Sequence, residues 1–283
     1  MKKQSWLAAL LSLLLAHSTT AALSGIRTIG GDYSSIGAAI ADIQAQTLDG
    51  PLILELQPGY SGAVETFPIV FTNLTTTADN TLTIRPSSSF GGIRVISSAY
   101  TTAATIDLNG AQFVTIDGQP GGSGTARLLT IANTSVSGVA LRFINGASNN
   151  IIRGVNIQGV NNNVASGVVL FSTTSGTGGN NDNLIDDCVI RDGIFTTPVN
   201  ILYSLGTTTS TNRYNRGNTI NNCSLINFYA NNTDVAGIRL DVGNTDWTIT
   251  GNSLPDQQRS RRFCRVHPPP STSTTPTSAT TSR

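Results

Sequence analysis

The usual catalytic bases are nearly missing from this chain, so any chemistry must fall to acids, arginines and aromatic rings. Lys2 and Lys3 are its only lysines, and His17 and His267 its only histidines. Asp186 and Asp187 are the only adjacent acids. Hydrolysis of a glycosidic bond needs two carboxyl groups, one as acid and one as base or nucleophile, so this pair is the first catalytic candidate. Asp234 and Arg153 stand behind it as further candidates. Arg142, Arg153, Arg191 and Arg239 can act as a base, and Asp182, Asp186, Asp241 and Asp246 can offer oxygens to Ca2+. No three of these converge by spacing alone, so no cofactor is assigned. Tyr203, Tyr229 and Trp247 can stack on sugar rings. Cys188, Cys223 and Cys264 are odd in number and form no Cys-x-x-Cys, which argues against a disulfide framework or a zinc site.

Composition narrows the partners. Charged residues are 12% of the chain and the formal net charge is +1. With no basic stripe, nucleic acid is excluded as a partner. The scarcity of Glu and Lys excludes a long helical bundle. Twenty-eight glycines and abundant Thr, Ser and Asn point to short strands joined by turns.

The first 22 residues read as an address. Lys2 and Lys3 precede the apolar run Trp6–Ala16, and the small residues Ser18–Ala22 follow. That order is a secretory signal, cleaved after Ala21 or Ala22, and too short to span a bilayer. No other segment is apolar enough for a transmembrane span. The chain is therefore expected to be secreted or held at the cell surface.

One helix is expected, over Tyr33–Gln46, with Ser34 as its N-cap and Ile36, Ala39, Ile40 and Ile43 on one face. Pro51–Leu56 follows as a strand. Further on, four nine-residue segments align: Asn149–Ile157, Asp182–Ile190, Gly217–Leu225 and Asp246–Leu254, at spacings of 33, 35 and 29 residues. The fourth column (Ile152, Ile185, Ile220, Ile249) and the ninth (Ile157, Ile190, Leu225, Leu254) are always apolar and should point inward. The sixth (Gly154, Asp187, Asn222, Gly251) holds the residues that tolerate a left-handed backbone, so it should be a bend. Asp187 is on this ground a bend residue, while Asp186 shares a solvent-facing column with Arg153, Asn221 and Thr250. The seventh column, with Cys188 and Cys223, reads as a stack of small buried side chains. The second, with Asn150, Asn183 and Asn218, reads as a side-chain ladder; Trp247 shares it and is expected to be exposed. A fainter copy, Phe113–Gly118, lies 36 residues before the first. A further strand recurs at Gly138–Leu141, Gly167–Leu170, Pro198–Ile201 and Gly237–Leu240. Three strands per coil at a fixed period make an all-β solenoid.

These motifs resemble the pectin-lyase-like family, a right-handed parallel β-helix with an N-terminal capping helix. The segments Thr28–Ile40 and Leu56–Tyr60 resemble the opening of large secreted β-helix proteins of Bacteroidetes-type bacteria. The resemblance covers residues 23–254, with clear coils from about 105 to 254. It implies lyases, hydrolases or binding proteins alike. The family's hydrolase motifs are not matched: Asn232-Thr233-Asp234 falls after Asp186-Asp187, in the wrong order, and no Gly-His-Gly occurs.

After Leu254 the pattern stops. Residues 255–283 are rich in Arg, Pro, Ser and Thr. They read as a disordered linker or as the product of a reading-frame change in mid-repeat. They are expected to add no coil, which would make the chain a fragment of a longer protein. The function expected is binding of a polysaccharide or another surface without catalysis. The alternative is a polysaccharide lyase or glycoside hydrolase.

Overall fold

The computed structural model describes residues 23–89, 91–194, 196–254 and 262–266. The apolar columns become stacked strands. The fourth-column isoleucines pair Cα to Cα in successive coils, in the order Ile116, Ile152, Ile185, Ile220, Ile249. Leu54 and Ile84 extend the same ladder backwards. None of these seven is more than 4% exposed. Each full burial of such a side chain is worth about 1.5–3 kcal/mol, so the column is a continuous source of cohesion. The ninth column forms a second inward ladder, Ile96–Ile131–Ile157–Ile190–Leu225. Leu254 packs half-buried at its end.

The result is a parallel β-solenoid of about six turns. Its first sheet has eight strands, starting with Leu23–Ile29 and Leu48–Leu56 and ending with Thr248–Thr250. The second has five, from Arg94–Ser98 to Ser224–Ile226, and the third has seven, from Ile69–Phe71 to Arg262–Val266. Every strand pair in them is parallel. The core between them holds Phe143 stacked on Phe171, ring centroids 4.2 Å apart.

The sixth column turns the chain from the first sheet into the second. Gly154, Asp187, Asn222 and Gly251 have φ of 60°, 50°, 50° and 62°. A second left-handed point, which the residue types of the first column could have indicated, opens each repeat: Asn149, Asp182, Gly217 and Asp246 have φ of 57°, 56°, 68° and 57°. Phe113, in the fainter copy, holds φ 53° there, an uncommon conformation for a bulky residue. Gly118 matches the bend column in sequence but needs glycine for another reason. A Cβ there would lie 1.9 Å from the carbonyl oxygen of Gly154.

The asparagine column is an inward ladder. Asn150 Nδ2 donates to Asn183 Oδ1 at 2.9 Å, and Asn183 Nδ2 to Asn218 Oδ1 at 3.0 Å. Each amide also donates to a backbone carbonyl of the preceding turn: Asn150 to Ala111, Asn183 to Ala147, Asn218 to Asn180. These bonds satisfy the buried polar groups of one turn with those of the next.

A helix, Ile36–Ala45, lies near the N-terminus and buries Ile36, Ala39, Ile40 and Ile43 as expected. Its N-cap is Ser35, not Ser34, with Ser35 Oγ accepting from Ala38 N at 3.0 Å. Glu65, 29 residues beyond the helix start, accepts from Ile36 N at 2.7 Å and Gly37 N at 3.1 Å. A carboxylate at this end of a helix is favoured by both hydrogen bonds and the dipole. The strand expected at Pro51–Leu56 runs from Leu48 to Leu56.

Two further expectations are corrected. The alignment of the third-sheet segments does not keep register between any two successive copies. Leu141 pairs with Val169 and Val169 with Leu202, so Leu170 sits beside Arg142 and Tyr203 in an outward column. A one-residue slip exchanges the two faces of a strand. The tail is the second. Within the stretch expected to add no coil, Arg262–Val266 forms a strand parallel to Ala236–Leu240, with Ile238 opposite Cys264 and Leu240 opposite Val266. The remainder of residues 255–283, like the expected signal at 1–22, lies outside the described residues.

Candidate functional site

Outward columns on the three sheets are where chemistry could be displayed. On the first sheet one such column reads Asp117, Arg153, Asp186, Asn221, Thr250 in successive strands. Just before it, Glu55 faces Arg85. Arg85 binds Glu55 at 2.7 Å, and Arg153 binds Asp117 through Nε at 2.9 Å and Nη2 at 2.6 Å. Asp117 is fully buried and also accepts from Gln119 N. Asn221 Nδ2 donates to Asp186 Oδ1 at 2.8 Å, and Thr250 Oγ1 to Asn221.

The catalytic candidates are thus separated by their partners. Arg153 and Asp186 are neighbours in the ladder, but Arg153 is held on Asp117. Asp187 sits at the bend, and its carboxylate pairs with Arg127, so the two adjacent acids serve different neighbours. Asp234 pairs with Arg265 of the third sheet's last strand. Asp107 and Asp117, two buried acids that sequence reasoning passed over, are both engaged by arginines one turn on. The signal for Asp117 was present: Asp117 and Arg153 share one column of the repeat, with opposite charge.

The third sheet's outward column reads Asp107, Arg142, Leu170, Tyr203, Arg239. Arg142 binds both Asp107 oxygens, at 2.9 and 2.6 Å, and those hydrogen bonds raise the guanidinium pKa. Tyr203 is a correction to the sugar-platform reading. Its ring is 2% exposed, its hydroxyl donates to Asp241 at 3.1 Å, and the Arg239 guanidinium lies 5.6 Å from the ring centre. Burial, then the Asp241 charge, pushes its pKa up to about 12.

Trp247 is the second correction. The column it shares points inward, so the ring is 3% exposed and meets Phe171 edge-on at 4.9 Å. Its Nε1 donates to Asn215 O at 3.0 Å, the same role that the asparagine amides play in earlier turns. Tyr229 remains half-buried, its hydroxyl bonded to Asn231. Among the described residues, no three of Asp, Glu, His and Cys gather as a metal ion would require, and no helix is long and apolar enough to cross a membrane.

The second sheet carries a different surface. A groove of about 550 Å3 runs over three of its successive strands, Arg94–Ser98, Leu129–Asn133 and Asn156–Gly159, and onto the loop that follows Val189–Asp192. Its floor includes Ser97, Thr130, Ala132 and Gln158, and its rims include Ile93, Val95 and Ile194. The outward register is Val95–Thr130–Asn156 in one column and Ser97–Ala132–Gln158 in the next. Ile93, Val95 and Ile194 are 56%, 42% and 76% exposed, so the rims are uncovered apolar surface. Sequence reasoning missed the groove because its strands lie in the ninth-column segments, whose outward residues vary from copy to copy.

Comparison of the chain with models of known protein families, with curated proteins and with solved structures finds no match. The solenoid is therefore established by the chain's own register: the same columns stack from turn to turn in three parallel sheets.

Proposed function

We propose that this protein is an exported β-solenoid that binds polysaccharide without cleaving it. The observation that carries the reading is the groove on the second sheet, which crosses three strands and presents hydroxyl and amide groups between apolar rims. Sugar rings have apolar faces and hydroxyl edges, and such a lining matches both. Seven carboxylates, by contrast, are engaged in ion pairs with arginines. A general acid or base must be held within reach of the reacting oxygen and be free to exchange its proton. Right-handed winding, pectin-lyase-like kinship and a capping role for Ile36–Ala45 belong to the same reading; parallel crossovers are right-handed in nearly all folds. The charged, apolar and small-residue order of residues 1–22 supports export.

The test is incubation of the full chain with pectin, polygalacturonate, alginate and xylan, with and without Ca2+. Retardation of the protein in a gel containing a polymer, with no product formed, is the expected result. New reducing ends or ultraviolet-absorbing unsaturated products, abolished by Asp186→Asn, would establish the lyase or hydrolase alternative instead.

A further inference from the structure

Building on the polysaccharide reading, we infer that the groove on the second sheet takes an uncharged glycan and rejects polyuronates. The lining is the argument. The residues that line the groove, Ser97, Thr130 and Gln158 among them, include no charged side chain. The arginines nearest in register are already committed. Arg94 is 1% exposed, with its guanidinium on Leu56 O, Gly92 O, Ser89 O and Ser87 Oγ. Arg191, one strand beyond Gln158 in the same outward column, is paired with Asp192 at 3.2 Å. A uronate polymer would bring one carboxylate per sugar into this groove and find no cation among its lining residues. Removing an ionised carboxylate from water without a partner is strongly unfavourable, whereas a neutral ring loses little.

The uncommitted polar groups fit the same ligand. Thr134 and Asn133 are already bonded within the protein. Ser97, Thr130 and Gln158 have no side-chain hydrogen-bond partner among the described residues, so their donors and acceptors are open to a ligand. Ser97 and Gln158 share one column with Ala132 between them. Two strand spacings separate them, roughly 10 Å. Ala132 leaves a flat apolar floor between two hydrogen-bonding posts. The three strands span about 10 Å along the stack, room for a short run of an extended polymer.

The experiment is affinity electrophoresis and calorimetric titration of the full chain with arabinoxylan, mixed-linkage β-glucan and galactomannan as neutral probes. Polygalacturonate and alginate are the charged probes. Gln158→Ala and Thr130→Val follow, with melting temperatures measured for each variant. We expect saturable binding of at least one neutral polymer, at least tenfold weaker or no binding of the uronates, and at least fivefold weakening in Gln158→Ala at unchanged melting temperature. Gln158→Arg, which adds a cation to the floor, should raise affinity for polygalacturonate. Binding of uronates alone would overturn the charge assignment and leave the polysaccharide reading intact. Neutral binding that both groove variants leave unchanged would move the site elsewhere and overturn the inference. No binding to any polymer would overturn both.

Discussion

Asp117 and Asp186 stand in one outward column of the first sheet but bear unequal loads. Asp117 is fully buried, receives two bonds from Arg153 and one from Gln119 N. Asp186 is half-buried and receives Asn221. Replacing Asp117 by Ala strands a guanidinium and a backbone N–H, at about 1–3 kcal/mol. Asp186→Asn should stay within about 0.5 kcal/mol, as a surface change does. Denaturant midpoints of the two variants check this, and an equal loss in both would contradict it. Phenols give a pH test. Burial raises Tyr33 and Tyr203 to about 12 from an ordinary value of 10. Because the folded state holds these protons more tightly, their stabilising effect is complete below pH 10 and falls away between pH 10 and 12. Phenolate absorbance should therefore rise late for these two rings, together with falling stability. Buried Cys188, whose thiol is pushed well up by burial and by Cys223, should resist alkylation until the chain unfolds.

Among the elements, the helix Ile36–Ala45 depends on two side chains at its start. Ser35→Ala should cost about 1 kcal/mol, and Glu65→Ala more, because Ile36 N, Gly37 N and the Tyr60 hydroxyl all lose their acceptor. The last strand makes a sharper test. Deleting residues 255–283 removes Arg262–Val266 and the Asp234–Arg265 pair, and uncovers the edge of Ala236–Leu240. The melting temperature should fall; an unchanged value would show that this strand contributes nothing. The inward isoleucines and the bends were legible in the sequence because each obeys a chemical constraint that recurs in every turn. Arg262–Val266 was not, since five residues within an arginine- and proline-rich stretch carry no period. Trp247 was misread for a related reason. An indole in a polar column looks exposed until the column is known to be an inward ladder of amides, where its N–H replaces theirs.

For the molecule as a whole, stability and display are built from the same repeat. Each turn is held to the next by apolar columns, asparagine bonds and ion pairs, and each turn adds one rung to the outward faces. In such a stack neighbouring turns stabilise one another, so Ile185→Asp should unfold at least its own coil, because a buried unpaired carboxylate costs several kcal/mol. The same regularity sets Ser97, Ala132 and Gln158 in one outward column of the proposed binding groove. The most direct test follows a neutral polymer and the full chain in one mixture, measuring bound protein and polymer chain length together over a prolonged incubation. Saturable binding with the polymer length unchanged is the predicted result. A polymer that shortens as binding proceeds would contradict it and make this solenoid an enzyme.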